Sequence, residues 1–289
     1  MAMLYLGFVA ERHRVWERRQ KGETAPWTAD PILASRKFTN VFRVLDPGSQ
    51  FVLTDLAAED LERRDLLMRL FLYRHTGRIE AWRYLQVEIG GYPVVDDLDD
   101  VREVFKDYRD GKRPFFTSAY LVFPQSSVPG TDKIDSIIDL TKRLFVDQTT
   151  WKVFLAAPTP AERFASLREN KGVADFMSMQ ILTDWGYVRP QDEDEFVVAG
   201  PGAVKGAAAL GLKAPDAIRW ARAAVHAMPD CPAIKTGSGA TRLPSTMDIQ
   251  NTLCEFSKYV RYLGKPVKTE PYRPAHPGSQ PTPVLPTHW

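Results

Sequence analysis

The chain is short of cysteine, of net charge and of strand-forming runs, and each shortage narrows what it can be. Two cysteines in 289 residues, Cys231 and Cys254, exclude a disulfide framework and a four-cysteine zinc site. They read as reduced intracellular thiols. His13, His75, His226, His276 and His288 are scattered without metal-ligand spacing, so no metal site is expected. Lys and Arg number 38 against 36 Asp and Glu, a net charge of only +2. Bulk charge therefore does not announce nucleic-acid binding, and any such contact must come from local basic patches. The apolar run Met3 to Ala10 is followed at once by Glu11-Arg12-His13-Arg14. A secretory signal needs its positive charge before the apolar run, and a membrane span needs roughly 20 apolar residues. Neither pattern is met, and a cytoplasmic protein with no membrane partner is expected. Strand signals are confined to Phe115 to Phe123 and Phe196 to Ala199, and no repeat is visible.

What the chain has is helix. Its 44% hydrophobic content supplies a core for one large domain or two small ones. Asp30 followed by Pro31 reads as a capped helix start, after which Phe38, Val41, Phe42 and Leu45 recur at helical spacing. Leu61 to Arg74, Ile79 to Ile89, Leu98 to Tyr108 and Ile134 to Phe145 are further helices. Thr159-Pro160-Ala161-Glu162 is a capping box opening another. Val173 to Trp185 and Ala214 to Met228 follow. The fold class is mainly α with few short strands. The expected divisions are an N-terminal helical extension over 1–27, a helical domain over 28–264 in one lobe or two around a cleft, and an extended tail over 265–289. Prolines at 266, 271, 274, 277, 281, 283 and 286 block regular structure in that tail.

Three polar groupings stand out. In the helix starting near Ser245, the residues Ile249, Leu253, Phe256, Val260 and Leu263 form an apolar stripe. Asp248, Asn251, Glu255 and Lys258 share another face. They read either as a ligand-binding ridge or as a capping box, Ser245 to Asp248, plus an ordinary surface ion pair. After Asp30, Arg36, Asn40 and Arg43, with Thr39 beside them, fall on one helical ridge suited to a phosphate, a carboxylate or a base edge. The third is Gly200-Pro201-Gly202-Ala203-Val204-Lys205-Gly206. Its glycines read as a tight turn whose exposed N–H groups can hold a phosphate, with Lys205 adding charge or lying in solvent. The segment lacks both the Gly-Lys-Ser/Thr ending of a P-loop and the spacing of a dinucleotide fingerprint. Aromatic and basic residues alternate at Trp82-Arg83-Tyr84 and at Lys112-Arg113-Pro114-Phe115-Phe116, which suits base stacking or plain core packing.

Four blocks in order resemble one family. They are Arg36-Lys37-Phe38-Thr39-Asn40-Val41-Phe42-Arg43, then Gly172 to Gln180 with Asp184, then Glu195 to Ala203, then Asp248-Ile249-Gln250-Asn251-Thr252-Leu253-Cys254-Glu255-Phe256. Together, over residues 25–264, they are similar to the α-glutamyl/putrescinyl-thymine pyrophosphorylases, also met as the helical domain of 5-hydroxymethyluracil DNA kinases and associated with phages that hypermodify thymine. That family in turn resembles helix-hairpin-helix DNA glycosylases.

The resemblance implies a glycosylase-like helical fold acting on double-stranded DNA that contains modified thymine. It places Asp248 at the extruded nucleotide as general base, assisted by Asn251. Asn251 and Gln180 would read the base edge. Arg36 and Arg43, with Thr39, Asn40, Glu255 and Lys258 around them, would hold the substrate or a leaving group. Gly200, Gly202, Lys205 and Gly206 would meet a DNA phosphate. One departure is plain: glycosylases set the aspartate close behind the hairpin, whereas here the whole of 203–247 intervenes. The expected activity is transfer of an amino acid, a polyamine or a sugar from a donor co-substrate onto 5-hydroxymethyluracil or its pyrophosphorylated form. No tightly bound cofactor is expected, and a 5-hydroxymethyluracil DNA kinase is the expected protein partner. A glycosylase that excises a modified base, and a non-catalytic DNA-binding module, are the alternatives.

Overall fold

The computed structural model describes residues 1–58, 61–116, 132–266, 272 and 281–289. Among them the chain is mainly α-helical, with one antiparallel pair of two-residue strands, Ile234–Lys235 and Thr241–Arg242. It divides into two units: Met1–Gln50 with Asp192–Trp289, and Phe51–Gln191. No helix among the described residues is long and apolar enough to cross a membrane.

The first unit is built around the helix Thr246–Tyr262. Of its apolar stripe, Ile249, Leu253 and Phe256 are completely buried, whereas Val260 is half-buried and Leu263, just past the helix end, is exposed. The N-terminal helix Ala2–Gln20 is part of this core. Tyr5 lies edge-on to Phe256 at 5.2 Å between ring centroids, and its hydroxyl meets Thr252 Oγ1 at 2.7 Å. A second helix, Pro201–Ala209, lies so close that glycine is required. A Cβ on Gly206 would stand 2.0 Å from the Leu253 carbonyl oxygen, and one on Gly202 would stand 2.2 Å from Cys254 Sγ. The glycine-rich segment is thus the first two turns of a packed helix and not an open turn. The tight turn comes after it, where Gly211 at φ 77° leads into the helix Ala214–His226.

The second unit holds most of the helices that periodicity foretold. Ile79–Ile89 and Pro160–Arg168 fall within the expected bounds, the latter with its Thr159/Glu162 capping box formed. Arg63–Thr76, Leu98–Asp110, Lys133–Lys142 and Asp175–Val188 differ from expectation only at their ends. Two of these helices run almost wholly through the core. Arg63–Thr76 carries the fully buried Arg69, which donates to the carbonyls of Pro93 at 2.8 Å and Tyr92 at 2.7 Å. It also carries Arg74, which makes a two-pronged ion pair with Asp184 of the helix Asp175–Val188.

Three expectations need correction. The helix after Asp30 ends at Ser35, and Arg36 is extended at φ −129°, ψ 149°. Arg36, Asn40 and Arg43 therefore share no helical ridge, although Phe38, Val41, Phe42 and Leu45 are all buried. The reason is competition for backbone groups: other side chains take the N–H and C=O groups that a helix over 36–45 would have paired internally, as the site below details. Phe196–Ala199 is irregular, and the only strands among the described residues lie in the 234–242 loop. Of the other strand candidate, Phe115 and Phe116 are irregular, and its remainder, 117–123, lies outside the described residues. The tail residues 281–286 are irregular and Thr287-His288 form a turn, and Gln50 fastens the segment through two hydrogen bonds with the Val284 backbone.

Candidate functional site

The polar face of the helix Thr246–Tyr262 is largely occupied by the chain itself. Segment 39–43 lies along it as a strap. Asp248 Oδ1 accepts the Arg43 N–H at 2.9 Å, and Glu255 Oε2 accepts the Thr39 N–H at 2.9 Å. Asn251 Nδ2 donates to the Asn40 carbonyl and to Thr39 Oγ1, both at 3.1 Å. Lys258 Nζ pairs with Glu255 at 2.7 Å. From the other side, Arg12 donates to the Thr39 carbonyl at 2.8 Å and to Asn40 Oδ1 at 2.5 Å. Seven of the residues picked from sequence, Thr39, Asn40, Arg43, Asp248, Asn251, Glu255 and Lys258, are thereby brought into one network. Arg36 stacks on Tyr262 at 4.5 Å, farther along the same helix. Gln180 is buried in the second unit, and Lys205 is exposed on the helix Pro201–Ala209.

The start of the same helix is chemically different. Ser245 is its N-cap: the Ser245 hydroxyl accepts the Asp248 N–H, and Asp248 Oδ2 accepts the Ser245 N–H and hydroxyl, each at 3.0 Å. Asp194 accepts both the Thr246 N–H at 2.7 Å and its hydroxyl at 2.9 Å. Carboxylates at this end are favoured by the helix dipole. Two arginines face them: Arg222 pairs with Asp194, and Arg242 pairs with Glu193 at 2.7 Å. Arg242 also lies against the Trp289 ring, 3.6 Å from its centroid. Ser245, Asp194, Arg222 and Arg242 line a cavity of about 340 Å³ with His226 and Trp289. That is the lower end of the range for small-molecule sites, about 300–1,000 Å³.

Two carboxyls at this end are held above their ordinary range. Burial raises Asp248, against the opposing pull of the Arg43 and Ser245 N–H groups. Burial pushes Glu193 up to about 7; Arg242 pulls it down, and the neighbouring Asp248 pushes it further up. A buried carboxyl that titrates near neutrality beside a second acid is a candidate proton-transfer group. It also has a thermodynamic consequence. Between 4.5 and about 7 the folded state holds a proton on Glu193 that the unfolded chain has released. The contribution of Glu193 to stability is therefore present below pH 4.5 and lost as pH rises to about 7. Urea titrations of wild type and Glu193→Gln across pH 4 to 8 are expected to show the wild-type advantage shrinking over that window. A difference independent of pH would mean that Glu193 does not titrate there.

Sequence reasoning missed Glu193, Asp194, Arg222, Arg242 and Trp289. The available signal was the run Asp192-Glu193-Asp194-Glu195, but a block of acids is ordinarily a solvated face. Among the described residues no group of His, Cys, Asp and Glu is placed to hold a metal ion.

These features define a helical domain with a carboxylate–arginine cluster, part exposed and part buried, at the start of its central helix. The chain belongs to the family described as the helical domain of 5-hmdU DNA kinase, whose model matches residues 1–269. The 5-hmdU DNA kinase of Bacillus phage SP10 is 26% identical over 226 residues, covering 70% of this chain and 35% of that protein. The chain thus spans about a third of the length of the curated relative it matches. No solved structure matches it.

Proposed function

We propose that this chain modifies a base in DNA, transferring a group onto the 5-position substituent of a 5-hydroxymethyluracil-derived base. The observation that carries the reading is family membership over residues 1–269, together with a relative named for 5-hmdU in DNA. The sequence has no P-loop, so the chemistry assigned to these residues is group transfer and not phosphorylation by a P-loop kinase. The base is extruded from the duplex toward the start of the helix Thr246–Tyr262. The attacking group is the amine of an amino acid or polyamine, which displaces pyrophosphate from the 5-methylene carbon, or the 5-hydroxymethyl oxygen, which attacks the sugar carbon of a nucleotide sugar and releases the nucleoside diphosphate. It passes its proton to the set formed by Ser245, Asp248 and Glu193. Ser245 supports this role because it lines the cavity while its hydroxyl touches Asp248. Asn251 and Glu255 act through the strap as positioning residues. Lys205, exposed on the helix Pro201–Ala209, meets a backbone phosphate near the helix start at Gly200.

One observation favours a second reading. Both Asp248 oxygens are engaged within the protein, as they would be in a DNA-recognition module without catalysis.

The deciding experiment is a nucleoside digest read by mass spectrometry. DNA containing 5-hydroxymethyluracil, with and without pyrophosphorylation, is incubated with the protein and pools of amino acids, polyamines and nucleotide sugars. A heavier nucleoside is expected, formed about a hundredfold more slowly or worse by Glu193→Gln and Asp248→Asn variants that retain wild-type circular dichroism. Free base with an abasic site would establish excision instead. Unchanged DNA in every pool, with DNA binding intact, would establish the recognition module.

A further inference from the structure

We propose that the cavity at the start of the helix Thr246–Tyr262 is a phosphoryl-group site, with Arg222 and Arg242 as its anion-binding residues. The assignment concerns binding only and stands whether or not the chain transfers a group. It begins from hydrogen-bond accounting. Each guanidinium carries five N–H donors. Arg222 spends a terminal nitrogen on Asp194, and Arg242 spends one on Glu193. The Nε of each is buried and has no hydrogen-bond partner among the described residues. Both Nε atoms are shielded from solvent, so a ligand in the cavity meets the guanidiniums through their terminal nitrogens, of which each arginine spends only one on a carboxylate.

The arginines come from different elements, the helix Ala214–His226 and the strand Thr241–Arg242, so their donors approach from different directions. That spread suits a tetrahedral oxyanion; a planar carboxylate is served by the fork of a single arginine. The remaining wall agrees. Thr241 Oγ1 accepts from Lys235 Nζ at 2.6 Å, which leaves its own hydrogen available to donate and brings a third positive charge close by. Two partners pre-form the site. Asp194 holds Arg222 while its other oxygen caps the helix start, and the Trp289 ring lies against the Arg242 guanidinium. Nothing in the four sequence blocks pointed here, because Arg222, Arg242 and Trp289 all lie outside them.

A phosphoryl group reaches such a site either as a free small molecule or as part of a nucleic-acid backbone. Calorimetric titration with inorganic pyrophosphate, and separately with a short unmodified DNA duplex, distinguishes the two. Arg222→Gln is the primary variant, since this half-exposed side chain is removed without touching the buried Glu193. Arg219→Gln, on the same helix with its partner Asp216 at the surface, is the control. Binding of at least one probe is expected to weaken about tenfold in Arg222→Gln, the loss of one charge-assisted hydrogen bond, and to be unchanged in Arg219→Gln. Thr241→Val is expected to weaken the same probe by a smaller factor. Loss with pyrophosphate assigns a free ligand, and loss with duplex alone assigns the backbone. If neither probe is weakened by Arg222→Gln, or if acetate binds as tightly as pyrophosphate, the proposal is overturned.

Discussion

Replacing Asp184 with alanine is expected to lower the unfolding free energy by about 3–5 kcal/mol. Asp184 is fully buried, and the Arg74 guanidinium it engages with both oxygens is only 6% exposed. Deleting the carboxylate removes the buried counter-charge that the guanidinium meets through two bonds, and the loss of that compensation, more than any net worth of the pair, produces the cost. The two-residue replacement Arg74→Met with Asp184→Leu is accordingly expected to recover most of the loss, because it removes both desolvation penalties and fills similar volume. Urea denaturation of the three variants tests this. If the single variant costs under about 1 kcal/mol, water reaches the pair and the burial argument fails. Sequence comparison had set Asp184 among the family blocks beside Gln180. The structure gives it a different kind of importance, as the tie between two core helices of the second unit.

Gly206→Ala carries the next largest effect. In an open helix, alanine for glycine would gain about 1 kcal/mol of helix propensity. Here the new Cβ would stand 2.0 Å from a backbone carbonyl oxygen of the helix Thr246–Tyr262, and backbone cannot rotate away as a side chain can. The helices must separate, and overpacking of this kind costs about 1–3 kcal/mol or more. The steric term wins, and a net loss at the upper end of that range is expected in thermal or urea unfolding without any DNA present. Gly202→Ala makes the contrast. Its nearest obstacle is Cys254 Sγ, the tip of a side chain, so Cys254→Ala is expected to rescue much of the Gly202→Ala loss and none of the Gly206→Ala loss. Were Gly206→Ala neutral for stability but damaging for DNA binding, the glycine would serve a phosphate and not helix packing.

These two cases mark where sequence reasoning reaches. Periodicity and capping chemistry are local, and they placed the helices Ile79–Ile89 and Pro160–Arg168 and the cap at Ser245 without help from the rest of the chain. The same periodicity failed after Ser35. Phe38, Val41, Phe42 and Leu45 repeat as a helix would and are buried as a helix would bury them. The backbone groups of the residues between them, Thr39, Asn40 and Arg43, however, are taken by Glu255, Arg12, Asn251 and Asp248, which no local window contains. The polar ridge expected to bind a ligand on the helix Thr246–Tyr262 has the chain's own strap as its main occupant.

The sequence by itself determined the helical class, the family and the polar face of the helix Thr246–Tyr262, because residue spacing and motif order are properties of a linear chain. Tertiary structure alone decided that Glu193, Asp194, Arg222, Arg242 and Trp289 gather at one helix start, and that Gly202 and Gly206 serve close packing. Those outcomes depend on which distant groups compete for the same backbone donors, and on how burial shifts a carboxyl toward neutrality. Both are set by three-dimensional neighbours that spacing along the chain does not encode.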